Sequence, residues 1–176
     1  MPSFSPEALA QIQTHISHYP PGKQKSAILP VLHIAQVEFG WLSVETMNEV
    51  AKLLEIQPIE VYEVATFYTM YHLKPTGTYV FEVCQTGPCC LIGAERIIGY
   101  LEKKLGIKVG ETTSDGLFTL KVTECLASCS TGPVMQLGHN YVENLTETKV
   151  DELIESLKEQ AKLNPKQPQQ GTSIHG

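Results

Sequence analysis

Four of the five cysteines form two spaced pairs, a pattern typical of ligands to a metal ion or an iron–sulfur cluster. Cys84 and Cys89 are separated by four residues, and Cys125 and Cys129 by three. Thiolates that converge on one point can bind either tetrahedral zinc or an iron–sulfur cluster. Paired cysteines of structural zinc usually have two residues between them, so the longer gaps favour a two-iron cluster, which is wider than one ion. Spacing alone leaves a zinc site and unligated core cysteines open as alternatives.

Other cysteine chemistries fit the sequence less well. A thiol–disulfide enzyme needs two cysteines separated by two residues, and no pair in the chain has that spacing. A Rieske centre needs two histidine ligands, and none of the six histidines is comparably spaced near these cysteines. Cys90 directly follows Cys89 and begins an apolar helical stripe that continues through Ala94 and Ile97. We therefore assign Cys89 as the ligand and expect Cys90 to be a small buried hydrophobic residue.

Small polar residues accompany both pairs. Hydroxyl groups that could donate hydrogen bonds to sulfur are carried by Thr86, Ser128, Ser130 and Thr131. Gly87 and Gly132 could allow backbone amides to approach sulfur closely. Such donors favour the reduced form of a cluster, which carries one more negative charge, and so raise its reduction potential. An ordinary turn role is the alternative for each residue.

Each pair lies where a predicted strand ends in a loop. The alternating residues 78–83 predict a strand that leads to Cys84, and a helix is predicted from the first pair to about residue 105. A second alternating segment, from Phe118 to Val122, precedes Cys125. Because neighbouring strands can end on the same side of a sheet, their loops can bring the two pairs to one point.

The segments that follow complete the predicted domain. A hairpin is expected around Gly138, and Thr146 opens a last amphipathic helix. The order β-α-β-β-β-α over residues 76–162 predicts an open sheet with helices, an α/β (α+β) fold. Residues 163–176 are rich in Pro, Gln and Gly, which predicts a disordered tail.

Residues 5–72 predict a bundle of four short helices. Ser5 and Ser43 are expected to cap the first and third helices, Gly40 to end the second, and Pro58 to begin the fourth. The predicted core stripes are Leu9, Ile12, Ile16 and Tyr19; Ile28, Leu32, Ala35 and Phe39; Val44, Met47, Val50 and Leu54; and Ile59, Tyr62, Ala65 and Phe67. The helical spacing of Trp41, Phe67, Tyr68 and Tyr71 favours core packing over a docking surface.

Charge and hydropathy exclude several functions. The net charge of −6 and the absence of a basic cluster argue against a nucleic-acid partner. No apolar run approaches the roughly 18 residues of a membrane span, so direct membrane insertion is not expected. The first residues have neither the basic start of a signal peptide nor the arginines of a transit peptide. We therefore expect a cytoplasmic chain whose cysteines stay reduced.

The cysteine motifs resemble those of a known family. Residues 84–89, Cys-Gln-Thr-Gly-Pro-Cys, and residues 124–133, Glu-Cys-Leu-Ala-Ser-Cys-Ser-Thr-Gly-Pro, are similar to the two cysteine motifs of the E-type subunit family of bacterial NADH:quinone oxidoreductase, or respiratory complex I. Residues 28–36, 39–42 and 65–71 resemble the N-terminal signature of that family. The resemblance covers about residues 5–160. Cys90 and the Gln-rich tail depart from the family pattern.

This resemblance implies a thioredoxin-like domain that carries one [2Fe–2S] cluster. By the same resemblance the iron ligands are Cys84, Cys89, Cys125 and Cys129, and the chain has no catalytic residue of its own. The helical residues 5–72 would pack on a partner subunit that binds NADH and FMN, within the peripheral arm of the complex and beside its further subunits. The chain lacks a Gly-rich phosphate loop, which agrees with nucleotide and flavin being bound by that partner.

The implied function is the exchange of single electrons between the partner's FMN and the cluster, as a subunit of an NADH:quinone oxidoreductase peripheral to the inner membrane. A diaphorase subunit of an NAD-linked hydrogenase or formate dehydrogenase would share every motif. A free thioredoxin-like ferredoxin would have no use for the N-terminal helices. A zinc-binding structural module is the alternative without redox activity.

Overall fold

The computed structural model describes residues 3–163 and separates into two compact units at the boundary between Pro75 and Thr76. The predicted tail lies outside the described residues, except for Leu163, which ends the last helix. The mixed α/β architecture predicted from the sequence is confirmed: helices occupy the first unit, and the second has the order β-α-β-β-β-α with its first helix in two parts. None of the helices in the described range is long and apolar enough to cross a membrane.

The first unit contains the predicted short helices. They are α1 (Pro6–Ser17), α2 (Ile28–Phe39), α3 (Val44–Leu53) and α4 (Pro58–Phe67), with a 3-10 turn at Gln24–Ala27 before α2. Ser5 Oγ accepts a hydrogen bond from the amide of Ala8, and Ser43 Oγ accepts one from Thr46, so both predicted caps are present. Gly40 ends α2 with a φ of 79°, which favours glycine.

Only part of each predicted stripe is buried. Ile12, Leu32 and Val50 are fully buried, but several predicted core residues are more than a third exposed: Leu9, Tyr19, Val44, Ile59 and Phe67. Val44 and Ile59 lie in the first turns of their helices. A helix in a small bundle buries one face, which is narrower here than the apolar pattern suggested.

The aromatic segment that begins at the last residue of α4 departs most clearly from the sequence prediction. Phe67, predicted to be in the core, is 77% exposed, because α4 ends there and Tyr68 adopts an extended backbone. The helical spacing that placed Phe67, Tyr68 and Tyr71 on one face therefore stops at residue 67. Tyr71 alone of the three is buried, and its hydroxyl donates to the Leu29 carbonyl at 2.9 Å.

The second unit is built on a four-stranded mixed sheet. Its elements are β1 (Tyr79–Cys84), α5 (Gly87–Leu91), α6 (Ala94–Leu105), β2 (Phe118–Thr123), β3 (Met135–Leu137), β4 (Asn140–Val142) and α7 (Glu147–Leu163). The strand order is β2-β1-β3-β4. β1 pairs with β2 in parallel and with β3 antiparallel, and β3 forms the predicted hairpin with β4 around Gly138.

The core of this unit lies between the sheet and helices α6 and α7. The Phe81 and Phe118 rings pack with their centroids 5.4 Å apart, and α6 and α7 cover them with apolar side chains. The fully buried residues of this cluster include Phe81, Val83, Ile97, Leu101, Phe118, Leu120, Met135 and Val150. This core supports the pairing of β1 with β2, and the register of that pairing determines where the cysteine loops begin.

The difference between Ile12 and Leu9 gives a direct test of the first core. Ile12→Ala removes a fully buried side chain, so we expect it to lower the free energy of unfolding by about 2–5 kcal/mol. Leu9→Ala, on the same helix, should cost less than about 1 kcal/mol because Leu9 is 37% exposed. Denaturant unfolding followed by circular dichroism measures both, and equal losses would contradict this description of α1.

Candidate metal centre

The two cysteine pairs lie at one edge of the sheet. Cys84 is the last residue of β1 and stands opposite Thr123, the last residue of the parallel strand β2. Cys125 follows two residues later, and Cys84 Sγ lies 3.7 Å from the carbonyl oxygen of Glu124. Because the strands run in parallel, both chain segments leave the sheet at the same edge and the two loops meet there.

Packing between the loops gives the site a buried side and an exposed side. Leu126, within the second pair, is 7% exposed and packs with Cys84, Cys89 and Val134. Cys84 and Cys89 are buried, whereas Cys125 and Cys129 are exposed. Within residues 3–163, no three His, Cys, Asp or Glu side chains are placed to hold a single metal ion.

Hydrogen-bond donors contact the sulfur atoms of Cys84 and Cys125. Thr86 Oγ1 lies 3.3 Å from Cys84 Sγ, as the sequence suggested, and the Ala127 amide donates to Cys125 Sγ at 3.3 Å. Burial opposes ionisation of Cys84, but hydrogen bonds from Thr86 and from the Leu126 amide outweigh it and lower the pKa of this thiol. Amide and hydroxyl donors of this kind stabilise negatively charged sulfur, which suits thiolate ligands.

At Cys89, the effects that raise the pKa of the thiol outweigh those that lower it. Burial, together with the hydrogen bond to Cys84 and the charge on Cys84, raises the pKa of the Cys89 thiol to about 11. The Val134 amide lowers this pKa, whereas the charge of Cys129 raises it further. A thiol of the second pair therefore lies close enough to Cys89 to affect its ionisation. Two buried thiols this close cannot easily ionise together without a cation, and a bound metal deprotonates its thiol ligands.

Cys90 differs from the sequence prediction. It was expected to be buried on a continuous helical stripe, but it is half-buried, and its thiol donates to the Gln85 carbonyl at 3.1 Å. The stripe is interrupted because α5 ends at Leu91 and Gly93 adopts a φ of 107° before α6 begins. Cys89, which was expected on the loop side, is the buried member of the adjacent pair.

Two of the expected hydroxyl donors have another acceptor. Ser128 Oγ and Thr131 Oγ1 both donate to Glu143 Oε1, at 2.8 and 2.7 Å. Both hydrogen bonds lower the pKa of the Glu143 carboxyl, and the one from Thr131 has the larger effect. Glu143 follows β4, 12 residues after Thr131, and no pattern around it indicated a role at this site.

Gly132 lies in close contact with Cys89 and Ile92 of the first loop. A β-carbon at this position would lie 2.6 Å from Ile92 Cδ1 and 3.2 Å from Cys89 Sγ. The backbone of the second loop therefore approaches the first loop more closely than a side chain would allow. A glycine at this position therefore lets the second loop contact Cys89, and thiols with amide and hydroxyl donors around them are a donor set that fits an iron–sulfur group.

Comparisons with known proteins agree with this chemistry. The family described as thioredoxin-like [2Fe–2S] ferredoxin matches residues 12–158. The E-type subunit of NADH-quinone oxidoreductase from Rickettsia prowazekii (strain Madrid E) is 47% identical over 154 residues, which cover 87% of each chain. An E-type subunit of NADH-quinone oxidoreductase from Rhizobium meliloti (strain 1021) is 43% identical over 148 residues, covering 84% of this chain and 87% of the relative.

Solved structures with the same fold include an NAD⁺-reducing [NiFe]-hydrogenase. Its air-oxidised form superposes with a TM-score of 0.67 at 19% identity, and its H2-reduced form with 0.68 at 21%. The superposition covers 85% of this chain but only 26% of the hydrogenase chain, which is therefore much longer. At this level of identity the likeness shows a shared fold.

Gly132→Ala tests the close approach of the loops. The new methyl group would press on Sγ of the buried Cys89, whereas the half-exposed Ile92 side chain can turn its terminal methyl aside, so we expect the free energy of unfolding to fall by about 1 kcal/mol. Adding Ile92→Ala should therefore restore little of the loss. Gly99→Ala, in α6 with open space around it, serves as the control and should be neutral or slightly stabilising. An equal loss in the Gly99 variant would contradict the proposed contact.

Proposed function

The chain belongs to the thioredoxin-like [2Fe–2S] ferredoxin family, and from that membership we propose that it is the electron-transfer subunit of an NADH:quinone oxidoreductase. One [2Fe–2S] cluster is held by Cys84, Cys89, Cys125 and Cys129. The observation that carries the proposal is the packing of Leu126 against Cys84 and Cys89 at the common end of β1 and β2. That packing supports all four thiols lying within reach of one cluster.

The polar groups around the thiols favour a role in electron transfer. The bound cluster takes up and releases one electron at a time. Each uptake adds one negative charge, and the amides of Leu126 and Ala127 and the side chain of Thr86 stabilise charge on the sulfur atoms. These donors therefore raise the reduction potential above that of the same ligands without them.

The asymmetric exposure of the site suits exchange with a partner. Cys84 and Cys89 lie on the dry side, where water is excluded, and Cys125 and Cys129 lie on the exposed side. We assign the exposed side to electron exchange, because a donor or acceptor can approach it closely. The chain needs no substrate pocket for this task.

The partner proposed for this exchange is a flavin- and NADH-binding subunit. The curated relatives are named as subunits of an oxidoreductase, which supports assembly into a complex peripheral to the membrane. Residues 76–162 form the cluster domain in this proposal, and residues 5–72 form the unit that packs on the partner. Exposed apolar side chains at the end of α4 and just beyond it support that docking role: Phe67, Tyr68, Met70 and Leu73.

A diaphorase subunit of an NAD-linked hydrogenase is the second candidate. The hydrogenase structures share the fold at about half the identity found with the curated relatives, 19–21% against 43–47%. This difference favours the NADH:quinone oxidoreductase. Purification of the native complex would distinguish the two, because a hydrogenase assembly would contain nickel and evolve or consume hydrogen.

Metal analysis tests the cluster. Anaerobic purification of the full chain should give a coloured protein with about two irons and two acid-labile sulfides, because thiolate-ligated irons are bridged by sulfide. One-electron reduction should give a paramagnetic signal. A colourless protein with one zinc per chain and no signal on reduction would rule out the proposal in favour of a structural module.

The division of work between subunits is tested on the same preparation. The isolated chain is expected neither to bind FMN nor to oxidise NADH, since it has no phosphate-binding loop. Flavin binding or NADH oxidation by this chain alone would refute that division while leaving the cluster assignment intact.

The adjacent cysteines provide a matched pair of variants for the ligand assignment. Cys89→Ser removes a proposed ligand and should lower the iron content roughly 10-fold or more, whereas Cys90→Ser should keep the cluster and its spectrum. Both substitutions make the same chemical change one residue apart. Cluster loss in the Cys90 variant with retention in the Cys89 variant would show that the ligand choice is wrong.

A further inference from the structure

The loop that carries Cys125 and Cys129 has little regular structure of its own. It leaves β2 after Thr123, and its only regular element within the described chain is the 3-10 turn Cys129–Thr131. Ala127 adopts a φ of 56°, and both cysteines are exposed. Contacts from other parts of the chain must therefore hold the two thiols in position.

Leu126 supplies an apolar contact, and Glu143 supplies a polar one. The Ser128 and Thr131 hydroxyls donate to Glu143 Oε1 at 2.8 and 2.7 Å, so one carboxylate oxygen joins residues on both sides of Cys129. The backbone next to Glu143 is also tied to this loop, because the Asn144 amide donates to the Thr131 carbonyl at 2.6 Å. Lys149 Nζ in turn donates to the Glu143 carbonyl at 2.6 Å.

The hydrogen count explains why an acceptor is needed here. The two hydroxyl oxygens lie 2.6 Å apart, and each also lies within hydrogen-bond distance of Glu143 Oε1. The hydroxyls carry two hydrogens for these three contacts, and when both are donated to Glu143 Oε1 the contact between the hydroxyl oxygens has none. An ionised carboxylate oxygen can accept both hydrogen bonds, because it has lone pairs and no hydrogen of its own.

We propose that Glu143 is a positioning residue for the cluster: its carboxylate fixes the Cys125–Cys129 loop through Ser128 and Thr131 and lowers the reduction potential of the bound cluster. The inference rests on the four-cysteine site proposed above. The carboxylate adds a negative charge beside the cluster, which disfavours the more negative reduced form. It also engages two hydroxyls that would otherwise be free to donate to sulfur.

Two substitutions at Glu143 separate its geometric and electrostatic effects. Glu143→Gln keeps an oxygen acceptor but removes the charge, so the cluster should persist in chelator within about 2-fold of the wild-type half-life while its potential shifts upward. Glu143→Ala removes the acceptor as well, and the cluster should be lost roughly 10-fold faster. Iron chelation followed by absorbance gives the rate, and redox titration of the full chain gives the potential.

The hydroxyl partners provide a second route if the alanine variant does not fold. Ser128→Ala with Thr131→Ala should accelerate cluster loss roughly 10-fold, as expected for Glu143→Ala, because it removes the same two contacts to the carboxylate. Matched substitutions at Glu152, an exposed carboxylate on α7, should change neither rate nor potential. A variant with both hydroxyls removed that keeps its cluster as long as the wild type would overturn the proposed network.

The outcomes distinguish this inference from the proposed function. A wild-type chain that never holds a [2Fe–2S] cluster overturns the proposed function and this inference with it. A cluster-bearing wild type whose Glu143→Gln variant keeps the same potential overturns the electrostatic role. A Glu143→Ala variant that keeps its cluster as long as the wild type overturns the positioning role.

Discussion

The parallel pairing of β1 with β2 is the constraint on which the site depends. Cys84 stands opposite Thr123 at the ends of these strands, so the loops that follow begin side by side. An antiparallel pairing would send the loops to opposite edges of the sheet and separate the two cysteine pairs by the length of a strand. The pairing is held by the core beneath it, where Phe81 and Phe118 pack against α6 and α7. The largest apolar side chains of the cluster domain therefore fix where the two loops start.

The ionisation of the thiols then determines which ligands the two loops can bind. The Cys84 thiol is favoured as a thiolate by its donors, while burial and the neighbouring Cys84 raise the pKa of Cys89 to about 11. The donors therefore favour a thiolate at Cys84, and ionisation of both buried thiols together is favoured by a bound cation. The same donors that stabilise thiolate also stabilise the additional charge that arrives on reduction. Glu143 acts in the opposite direction, so the site contains both stabilising dipoles and an opposing charge.

Much of this arrangement follows from the sequence, and the exceptions have physical causes. The caps at Ser5 and Ser43 and the hairpin at Gly138 depend on local chemistry, which a sequence pattern records directly. The burial of Cys89 and Cys90 was reversed, because a helical stripe predicts burial only while the helix is continuous, and Gly93 interrupts it. Phe67 was misplaced for the same reason at the end of α4. Glu143 could not have been found, because its role depends on a tertiary contact with Ser128 and Thr131.

The half-exposed position of the site links these local features to the function. Full burial of four thiolates would strengthen every electrostatic interaction but would keep a redox partner at a distance. Full exposure would admit water to all four sulfur atoms and leave the loops without an apolar support. The structure combines a buried half with an exposed half. Leu126 and Val134 pack on Cys84 and Cys89, whereas Cys125 and Cys129 lie at the surface. The exposed half then requires a different support from the buried half. A polar network can provide it where solvent is present, because hydrogen bonds to a charged carboxylate remain favourable at a partly wetted surface.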